Sequence, residues 1–574
     1  MTKLSTSKPL IEMQPVLAPD YVRNSANAGY QTFKNLADCD AETLRDPLSA
    51  KVESIDWIRF LLFGLWLAAA GALAWRHVMW RDEVRALSTA TQGENWIAML
   101  RGLHGEGHPA LWYLLLRAAH GIAGRPEVLP LLAFAIAVAA AWLIVWRSPF
   151  PRPLIGLILA SHFFIYEFSV MARNYGIAVL ILFALAIAYP RCRGRGVVLG
   201  ALLFLLANCN VIATILAGAF LLFWFVEILE ETGPRWSPAM ATFALNAGIA
   251  TAGAALCFAT VYPTVHDAAV AAGRPGGVAV GDILGAIANP APAFDQLLGN
   301  KVPPAGLAVP WSPVLIALGG PLLIGATFGL IENKGALLAC LASLVGLSVF
   351  FLLVYPGDYR HEATWLAFVI TMYWICWKPH RAVRGEAKPH TNEQTFAFVR
   401  RVGFAFFLVL IGVQATLGFA DLAFAAIVGT PESRSRDFAD LVSRRPDLKE
   451  AILIGDPDYM LEPMHYYLPN PTYFVRERRY GEYVRFTRKA RLELTLGDML
   501  DEARTIRIST GRPVAILLAW RLGEMDPARV YRESYVWTFS APGDQIERFR
   551  EATTLLAQFP KATSNESYDI YLFK

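Results

Sequence analysis

Residues 57–75 read WIRFLLFGLWLAAAGALAW, an apolar run with a single charged residue, Arg59. About 20 such residues let a helix cross the hydrocarbon core of a bilayer, so this run predicts a membrane-spanning helix. The rest of the chain agrees, because 55% of its 574 residues are hydrophobic, 17% are charged, and the mean hydropathy is +0.38. The bilayer is therefore the expected main solvent. The small net charge of +4 gives no reason to expect a nucleic acid partner.

Further apolar runs approach the same length, and together they predict an all-α polytopic membrane protein with about eleven spanning helices. The predicted spans are residues 57–75, 127–146, 153–170, 174–190, 197–209, 211–231, 238–262, 309–331, 335–355, 362–378 and 402–425. The run at 109–123 is not counted, because it is predicted to lie along the membrane interface.

Basic residues predict the orientation, because Lys and Arg near the ends of spans stay on the cytoplasmic side. The basic clusters are Arg147 with Arg152, Arg191 with Arg193 and Arg195, and Lys378, Arg381, Arg384, Lys388, Arg400 and Arg401. With eleven spans these loops share the cytoplasmic side with the N-terminus. The loops 76–126, 263–308 and 356–361 and the C-terminal region then lie on the outer side. The loop 263–308 is rich in Gly, Pro and Ala and is predicted to be a lid that orders on donor binding.

Three parts follow from this pattern. Residues 1–56 are polar and lack the features of a cleavable signal peptide, so they predict a cytoplasmic segment. Residues 57–428 predict the transmembrane domain. Residues 429–574 predict a small extracytoplasmic α/β domain that covers or shapes the site. Its predicted strands lie in 451–454, 514–518 and 568–573, and its predicted helices in 497–507 and 544–558.

The first outer loop, residues 76–126, departs from the orientation rule because it is rich in arginine. These arginines are Arg76, Arg81, Arg85 and Arg101. Phosphate binding explains arginines on this side, and so does contact with lipid headgroups. Apolar residues at helical spacing in 80–87 and 96–103 also predict two amphipathic helices at the membrane interface.

Asp82 and Glu83 lie in the first of these helices and are the candidate catalytic residues. Acidic residues close to an apolar phase are costly, so a function readily explains them. Adjacent residues of a helix point about 100° apart, so one of the two is expected to face the site. The alternative is that both are solvated acids on the polar face of the helix.

Two more elements follow the acidic pair. One is His108-Pro109-Ala110-Leu111, and the other is Met171-Ala172-Arg173-Asn174-Tyr175-Gly176 at the end of a predicted span. In this order the three elements resemble the GT-C glycosyltransferases that use polyprenyl-phosphate sugars, such as protein O-mannosyltransferases and the aminoarabinose transferases that modify lipid A. The resemblance covers roughly residues 57–260 in pattern, and the multispan plan with an outer C-terminal domain extends it to the whole chain. The chain departs from the family pattern at Ala110, where a second proline is usual.

The resemblance implies the chemistry. It assigns Asp82 as the base that takes a proton from an acceptor hydroxyl while that hydroxyl attacks the anomeric carbon, with inversion. It implies a polyprenyl-phosphate sugar donor, a glycan, lipid or protein acceptor, contact with membrane lipids, and the bacterial inner membrane as the location. The leaving phosphate needs cations. The candidate donor-binding or phosphate-binding residues are Arg81, His108, Arg173, Tyr175, Arg360 and His361. Each arginine has an alternative role as an anchor that snorkels to headgroups.

Metal sites are not predicted. The six cysteines show no CxxC spacing, and the glycines of the cluster 104–108 give its His and Glu residues no fixed geometry. A divalent cation is left open as a cofactor, because some members of the family use one.

Two other functions are also left open: a transporter or flippase for lipid-linked saccharides, and a non-catalytic assembly factor. A transporter usually shows internal repeats and ionisable residues in the middle of spans, and this sequence shows no repeat.

Overall fold

A computed structural model describes residues 56–104, 106–262, 277–300, 312–377, 391–487, 489–533 and 537–574. The predicted cytoplasmic segment 1–56 lies outside these residues except for Asp56. Parts of the predicted lid, 263–276 and 301–308, lie outside them too. From Ile58 to Lys574 the chain forms one compact unit.

The larger part of the chain is helical, as its apolar runs predict. The helices are α1 (Trp57–Arg76), α2 (Arg81–Thr91), α3 (Trp96–Arg101), α4 (Leu111–Ala123), α5 (Val128–Arg147), α6 (Arg152–Ala160), α7 (Tyr175–Cys192), α8 (Val198–Ala207), α9 (Val211–Thr232), α10 (Pro238–Val261), α11 (Val280–Ala288), α12 (Ser312–Ala317), α13 (Gly319–Thr327), α14 (Lys334–Leu353), α15 (Tyr359–Cys376) and α16 (Thr391–Ile427).

Within the described ranges, seven helices are long and apolar enough to cross a membrane: α1, α5, α7, α9, α10, α14 and α16. The structure thus supports a membrane protein, but it does not confirm the predicted count of eleven spans. The remaining predicted spans contain shorter or more polar helices. For example, α8 has only 10 residues, and α15 begins with the ionisable residues Arg360, His361 and Glu362.

The predicted span 153–170 shows how tertiary contacts interrupt an apolar run. Helix α6 ends at Ala160, and a π-helix follows at Phe163–Glu167. Just before the π-helix, His162 pairs with Asp421 of α16. Single-turn π-helices are frequent at functional sites. Here the irregular turn after the π-helix carries Arg173 and leads into α7.

Helix α2 begins close to the position that the apolar spacing predicts, but protein encloses it on its polar side as well. The polar side chains of Glu83, Ser88 and Thr89 are buried together with its apolar ones. A one-sided helix on a membrane surface would leave such residues exposed. The helix packs against α4 and also against the C-terminal domain. Its Glu566 accepts a hydrogen bond from the backbone N–H of Arg81 at 3.0 Å.

The C-terminal part is the α/β domain that the short apolar runs predict. Its helices are α17 (Ser435–Arg444), α18 (Pro446–Lys449), α19 (Met464–Tyr467), α20 (Leu496–Thr510) and α21 (Gly543–Ala552). Its strands are β1 (Ile452–Asp456), β2 (Tyr473–Phe474), β3 (Arg479–Tyr480), β4 (Glu493–Thr495), β5 (Val514–Leu518), β6 (Val530–Arg532), β7 (Thr538–Ser540), β8 (Thr553–Gln558) and β9 (Asp569–Phe573).

The main sheet of this domain has the strand order β1-β5-β9-β8. Strands β1 and β5 are parallel, whereas β9 is antiparallel to both of its neighbours. Alternate residues of β1 pack into two separate apolar clusters, with Ile452 in one and Leu453 in the other. Both faces of the sheet are therefore covered, which explains why this strand reads as a continuous apolar run. The predicted helix 544–558 is wrong beyond Ala552, where β8 begins.

Candidate active site

A cavity of about 710 Å³ lies where α2, the turn before α7, the start of α15 and the C-terminal domain meet. This volume is typical of a small-molecule site. The cavity brings together seven of the eight residues that the sequence singles out. They are Arg81, Asp82, His108, Arg173, Tyr175, Arg360 and His361. The eighth, Glu83, is not in the cavity wall.

Asp82 is the carboxylate at the centre of this group. Arg173 donates a hydrogen bond to its Oδ2, Arg81 Nε lies 3.5 Å from its Oδ1, and Arg360 Nη2 lies 4.0 Å from its Oδ2. Burial by itself would raise the pKa of Asp82, but Arg173, with Arg81 and Arg360, holds that pKa well below its ordinary value. Asp82 is therefore ionised at neutral pH. Its carboxylate holds three guanidinium groups around one point.

Arg360 and Arg173 share an aromatic neighbour. Both guanidinium carbons lie 5.9 Å from the centroid of the Tyr175 ring, which is within the range of a cation–π contact. Arg360 Nη2 also lies 2.8 Å from Asp358 Oδ2. Its Nε has no hydrogen-bond partner among the described residues. This guanidinium therefore keeps one buried N–H without an acceptor.

The hydrogen bonds of His361 define the direction of the Tyr175 hydroxyl. The backbone N–H of Asp358 donates to His361 Nδ1 at 2.9 Å, so the proton of this ring lies on Nε2. His361 Nε2 lies 2.8 Å from the Tyr175 hydroxyl oxygen and therefore donates to it. The Tyr175 O–H is then able to donate to another acceptor. His361 therefore lines the cavity and also orients the Tyr175 hydroxyl group.

Glu83, the other predicted catalytic residue, lies outside the cavity wall and contacts protein groups. Its carboxylate is fully buried and accepts hydrogen bonds from the backbone N–H of Ala172 at 2.6 Å and from that of Trp80 at 3.3 Å. It also lies 2.8 Å from His77 Nε2. Ala172 precedes Arg173, so Glu83 holds the turn that carries this arginine. Of the acidic pair, Asp82 faces the cavity and Glu83 faces the protein.

His77 lies between two carboxylates, with Nε2 at Glu83 and Nδ1 3.2 Å from Glu432 Oε2. Burial by itself would lower the pKa of His77, but Glu83 and Glu432 raise it to about 10. His77 is therefore a buried cation that joins the start of the C-terminal part to the turn carrying Arg173.

This arrangement predicts a pH-dependent stability. The pKa of His77 is raised from 6.5 to about 10, so its contribution to folding is fully present below about pH 6.5 and is lost as pH rises through about 10. We expect His77→Gln to lower the melting temperature in detergent at neutral pH and to flatten its decline towards pH 10. His104→Gln, at an exposed histidine, is the control. An equally steep decline in both variants would contradict the ion-pair role of His77.

His108 is fixed by the backbone of its own loop. Its Nδ1 lies 3.1 Å from the Glu106 carbonyl oxygen, which can only accept, so Nδ1 carries the proton and Nε2 has a lone pair. Burial and the nearby Arg173 lower the pKa of His108 to about 3, so the ring is neutral. The Glu106 carboxylate is bound by two nitrogens of Arg85, at 2.6 and 2.9 Å. No group of three or more His, Cys, Asp or Glu side chains that could hold a metal ion occurs in the described part of the chain.

Several wall residues do not follow from the sequence motifs. The C-terminal domain contributes Tyr459, Glu462 and Phe486. Glu462 Oε1 accepts from Arg85 at 2.6 Å, and the Arg81 guanidinium lies 4.7 Å from the Tyr459 ring. No pattern in the sequence connects these residues to α2, because the contacts span hundreds of positions.

Asn210 is another wall residue that the motifs miss. It stands with Asn208 between the two apolar runs 197–209 and 211–231. Asparagines between two predicted spans are a sequence signal that could have marked this position.

Searches against protein-family models, curated protein sequences and solved structures found no match for this chain.

Proposed function

We propose that the protein is a membrane glycosyltransferase that moves a sugar from a polyprenyl-phosphate donor to a glycan, lipid or protein acceptor, with Asp82 as the general base. The observation that carries this proposal is the placement of one ionised carboxylate among Arg81, Arg173 and Arg360 in a cavity of about 710 Å³. A base and a set of phosphate-binding cations are the two parts that this reaction needs. The resemblance to GT-C glycosyltransferases supports the same assignment.

The reaction is a single displacement. An acceptor hydroxyl oxygen attacks the anomeric carbon of the sugar, and the bond from that carbon to the phosphate oxygen breaks. The polyprenyl phosphate leaves with the electron pair, and Asp82 takes the hydroxyl proton. Arg173 and Arg360 stabilise the negative charge that develops on the phosphate, since the guanidinium fork matches phosphate oxygens.

Donor binding also strengthens the base. Before binding, the arginines around Asp82 hold its pKa far below the ordinary value, which makes it a poor proton acceptor. A phosphate that takes over Arg173 and Arg360 removes part of this positive potential, so the pKa of Asp82 rises. Asp82 thus becomes an effective base when the donor is in place, and it is a weak one when the cavity holds only water.

The apolar side of the cavity supports a lipid-linked donor. Ile212, Val261 and Phe350 line it and belong to α9, α10 and α14, three of the helices that are able to cross a membrane. A polyprenyl tail has apolar neighbours on this side while its phosphate meets the arginines. We assign the cavity to the outer side of a bacterial inner membrane, with the C-terminal domain extracytoplasmic, because the basic loops 147–152 and 191–195 indicate the cytoplasmic side.

The test uses the purified full-length chain in detergent with a panel of synthetic polyprenyl-phosphate hexoses and pentoses. A membrane extract supplies acceptors, and release of free polyprenyl phosphate is the readout. Release that requires the extract is the expected result. If no donor is consumed, and if Asp82→Asn and Arg360→Ala both restore the phenotype of a deletion strain, the proposal fails. The transporter and assembly-factor alternatives then take precedence.

A further inference from the structure

The two oxygens of the Asp82 carboxylate face different arginines. Arg173 and Arg360 lie at Oδ2, whereas Arg81 lies at Oδ1, with its Nε at 3.5 Å. In the proposed reaction Arg173 and Arg360 bind the donor phosphate. A single displacement with inversion places the attacking hydroxyl and the leaving phosphate on opposite sides of the anomeric carbon. The acceptor hydroxyl therefore approaches Asp82 from the side of Oδ1 and Arg81.

The guanidinium of Arg81 is able to bind a further anion. Its side chain lines the cavity and is 22% exposed. Its Nη1 donates to the neutral side chain of Asn565 at 2.9 Å. Its Nη2 makes no hydrogen bond in the described part of the chain and is not one of the fully buried unpaired nitrogens there. Such donors bind carboxylate and phosphate groups, so an anionic acceptor meets an available cation beside the base.

Two further carboxylates, Glu106 and Glu462, lie in the same wall, and Arg85 binds both of them at 2.6 Å. The proposed reaction does not involve Arg85, so these pairs persist when the donor binds. The two carboxylate side chains are 8% and 1% exposed, less than those of Arg85 and Arg81. Burial also raises the pKa of Glu462 to about 7, so this carboxyl is partly protonated at neutral pH. The acceptor side therefore presents mainly guanidinium surface.

The C-terminal domain extends this cationic surface to the outside of the protein. Phe486 of the cavity wall belongs to the segment 476–491, which has seven basic and two acidic residues. Arg485 lies near the cavity, because its charge opposes the rise in pKa that burial causes at Tyr483, whose ring lies 5.6 Å from the Arg85 guanidinium. Three exposed cations of this segment form no ion pair with a described residue: Arg478, Arg485 and Lys489.

The spacing of base and cation limits the chemistry of the acceptor. Asp82 and Arg81 are 3.5 Å apart, so the attacking hydroxyl and the anionic group must be close together. An acidic sugar carries both on one ring, whereas in a peptide they belong to separate side chains. Arg81 also meets the C-terminal domain at Tyr459 and Asn565, and the described part of that domain contains no membrane-spanning helix. This side of the cavity therefore suits a water-soluble saccharide better than a second lipid.

We propose that the acceptor is an anionic saccharide and that Arg81 binds its carboxylate or phosphate group next to the attacking hydroxyl. The exposed cations Arg478, Arg485 and Lys489 attract this acceptor to the cavity. Arg81 is thus a specificity-determining residue for the acceptor. This inference rests on the proposed glycosyltransferase function and narrows its acceptor from a glycan, lipid or protein to an acidic glycan.

The first test measures how the full-length protein in detergent discriminates between acceptors. The acceptors are matched oligosaccharides that are neutral, contain a uronic acid or carry a phosphate. We expect kcat/KM of the wild type to be about tenfold or more higher for an acidic acceptor than for the neutral one, the effect of one hydrogen bond to a charged group. Arg81→Gln should remove this preference. The ratio between acceptors cancels any effect of Arg81→Gln on Asp82 itself.

The second test measures the salt dependence of transfer. Screening should lower kcat/KM for the acidic acceptor as NaCl increases, and it should leave the neutral acceptor unaffected. The double variant Arg485→Glu with Lys489→Glu should lower the value at low salt and flatten its decline, with the donor KM unchanged. Arg504→Glu is the matched control, since this exposed arginine lies on α20 and is not in the cavity wall.

Four outcomes overturn the inference while the glycosyltransferase function stands. The neutral acceptor is used as well as the acidic ones, Arg81→Gln lowers transfer to both alike, or an acidic peptide accepts the sugar and the saccharides do not. In the fourth, vesicles of anionic phospholipid compete as well as the acidic oligosaccharide does, which assigns the exposed cations to the membrane surface. If no donor is consumed even with the membrane extract, the proposed function fails, and the inference fails with it.

Discussion

Asp82→Asn should abolish sugar transfer and leave the fold intact. The amide cannot accept the proton of the acceptor hydroxyl, so we expect kcat to fall by at least about 100-fold, the usual contribution of a general base. Asparagine has nearly the same shape as aspartate and still offers one oxygen to Arg173. The amide does not offset the charge of the three arginines, so we expect a lower melting temperature in detergent, with the variant still folded at the assay temperature. The measurement is the single-turnover rate of release of polyprenyl phosphate, made together with a thermal unfolding curve.

Asp437→Asn is the matched control for this variant. Asp437 also pairs with an arginine, Arg434 at 3.0 Å, but it lies on α17 of the C-terminal domain and is not in the cavity wall. The control should retain full activity. A large loss in the control would mean that the enzyme is sensitive to any broken arginine pair. A fully active Asp82→Asn would remove Asp82 from the reaction.

Arg360→Ala should lower the rate of the chemical step by about 100- to 1,000-fold, the effect of removing one donor that stabilises a developing negative charge. The structure gives Arg360 an unused Nε and places it beside Asp82 and Tyr175. Arg360→Lys should recover only part of the rate, because lysine keeps the charge but lacks the fork of donors. Rates measured at saturating donor separate this effect from weaker binding.

Arg400→Ala provides the comparison for the arginine series. Arg400 pairs with Glu332, and it is not in the cavity wall. Its loss should leave the rate unchanged. If Arg360→Ala raises KM alone and keeps kcat, Arg360 binds the donor equally in the ground state and the transition state. Its assigned role in stabilising the leaving phosphate would then be wrong.

The membrane helices are predictable because their signal is local. The run 57–75 has the length and composition that a bilayer requires, and α1 occupies nearly the same residues. The interruption of the run 153–170 could not be predicted, since His162 meets a partner, Asp421, that is 259 positions away. The same limit applies to residues 553–558. They form a strand because β9 pairs with them, although their own pattern continues that of a helix.

The candidate site is predictable to the extent that its residues belong to short motifs. Asp82, His108 and Arg173 lie in three separate segments, and the fold brings them to one cavity. The roles of Asp82 and Glu83 could not be separated from sequence, because the direction of each side chain depends on where α2 packs. Glu462 and Phe486 come from a domain whose contact with α2 has no local sequence signal.

The bond between the Arg81 N–H and Glu566 joins residues 485 positions apart, and this separation has a consequence for the timing of biosynthesis. A ribosome that has just completed α16 has already made Asp82 and the three arginines around it, Arg81, Arg173 and Arg360. The nascent chain still lacks the acceptor that closes the N-terminal end of α2. Closure of the cavity therefore waits until the C-terminal domain has been made. A nascent chain that has not reached this domain lacks the cavity wall that Tyr459, Glu462 and Phe486 supply.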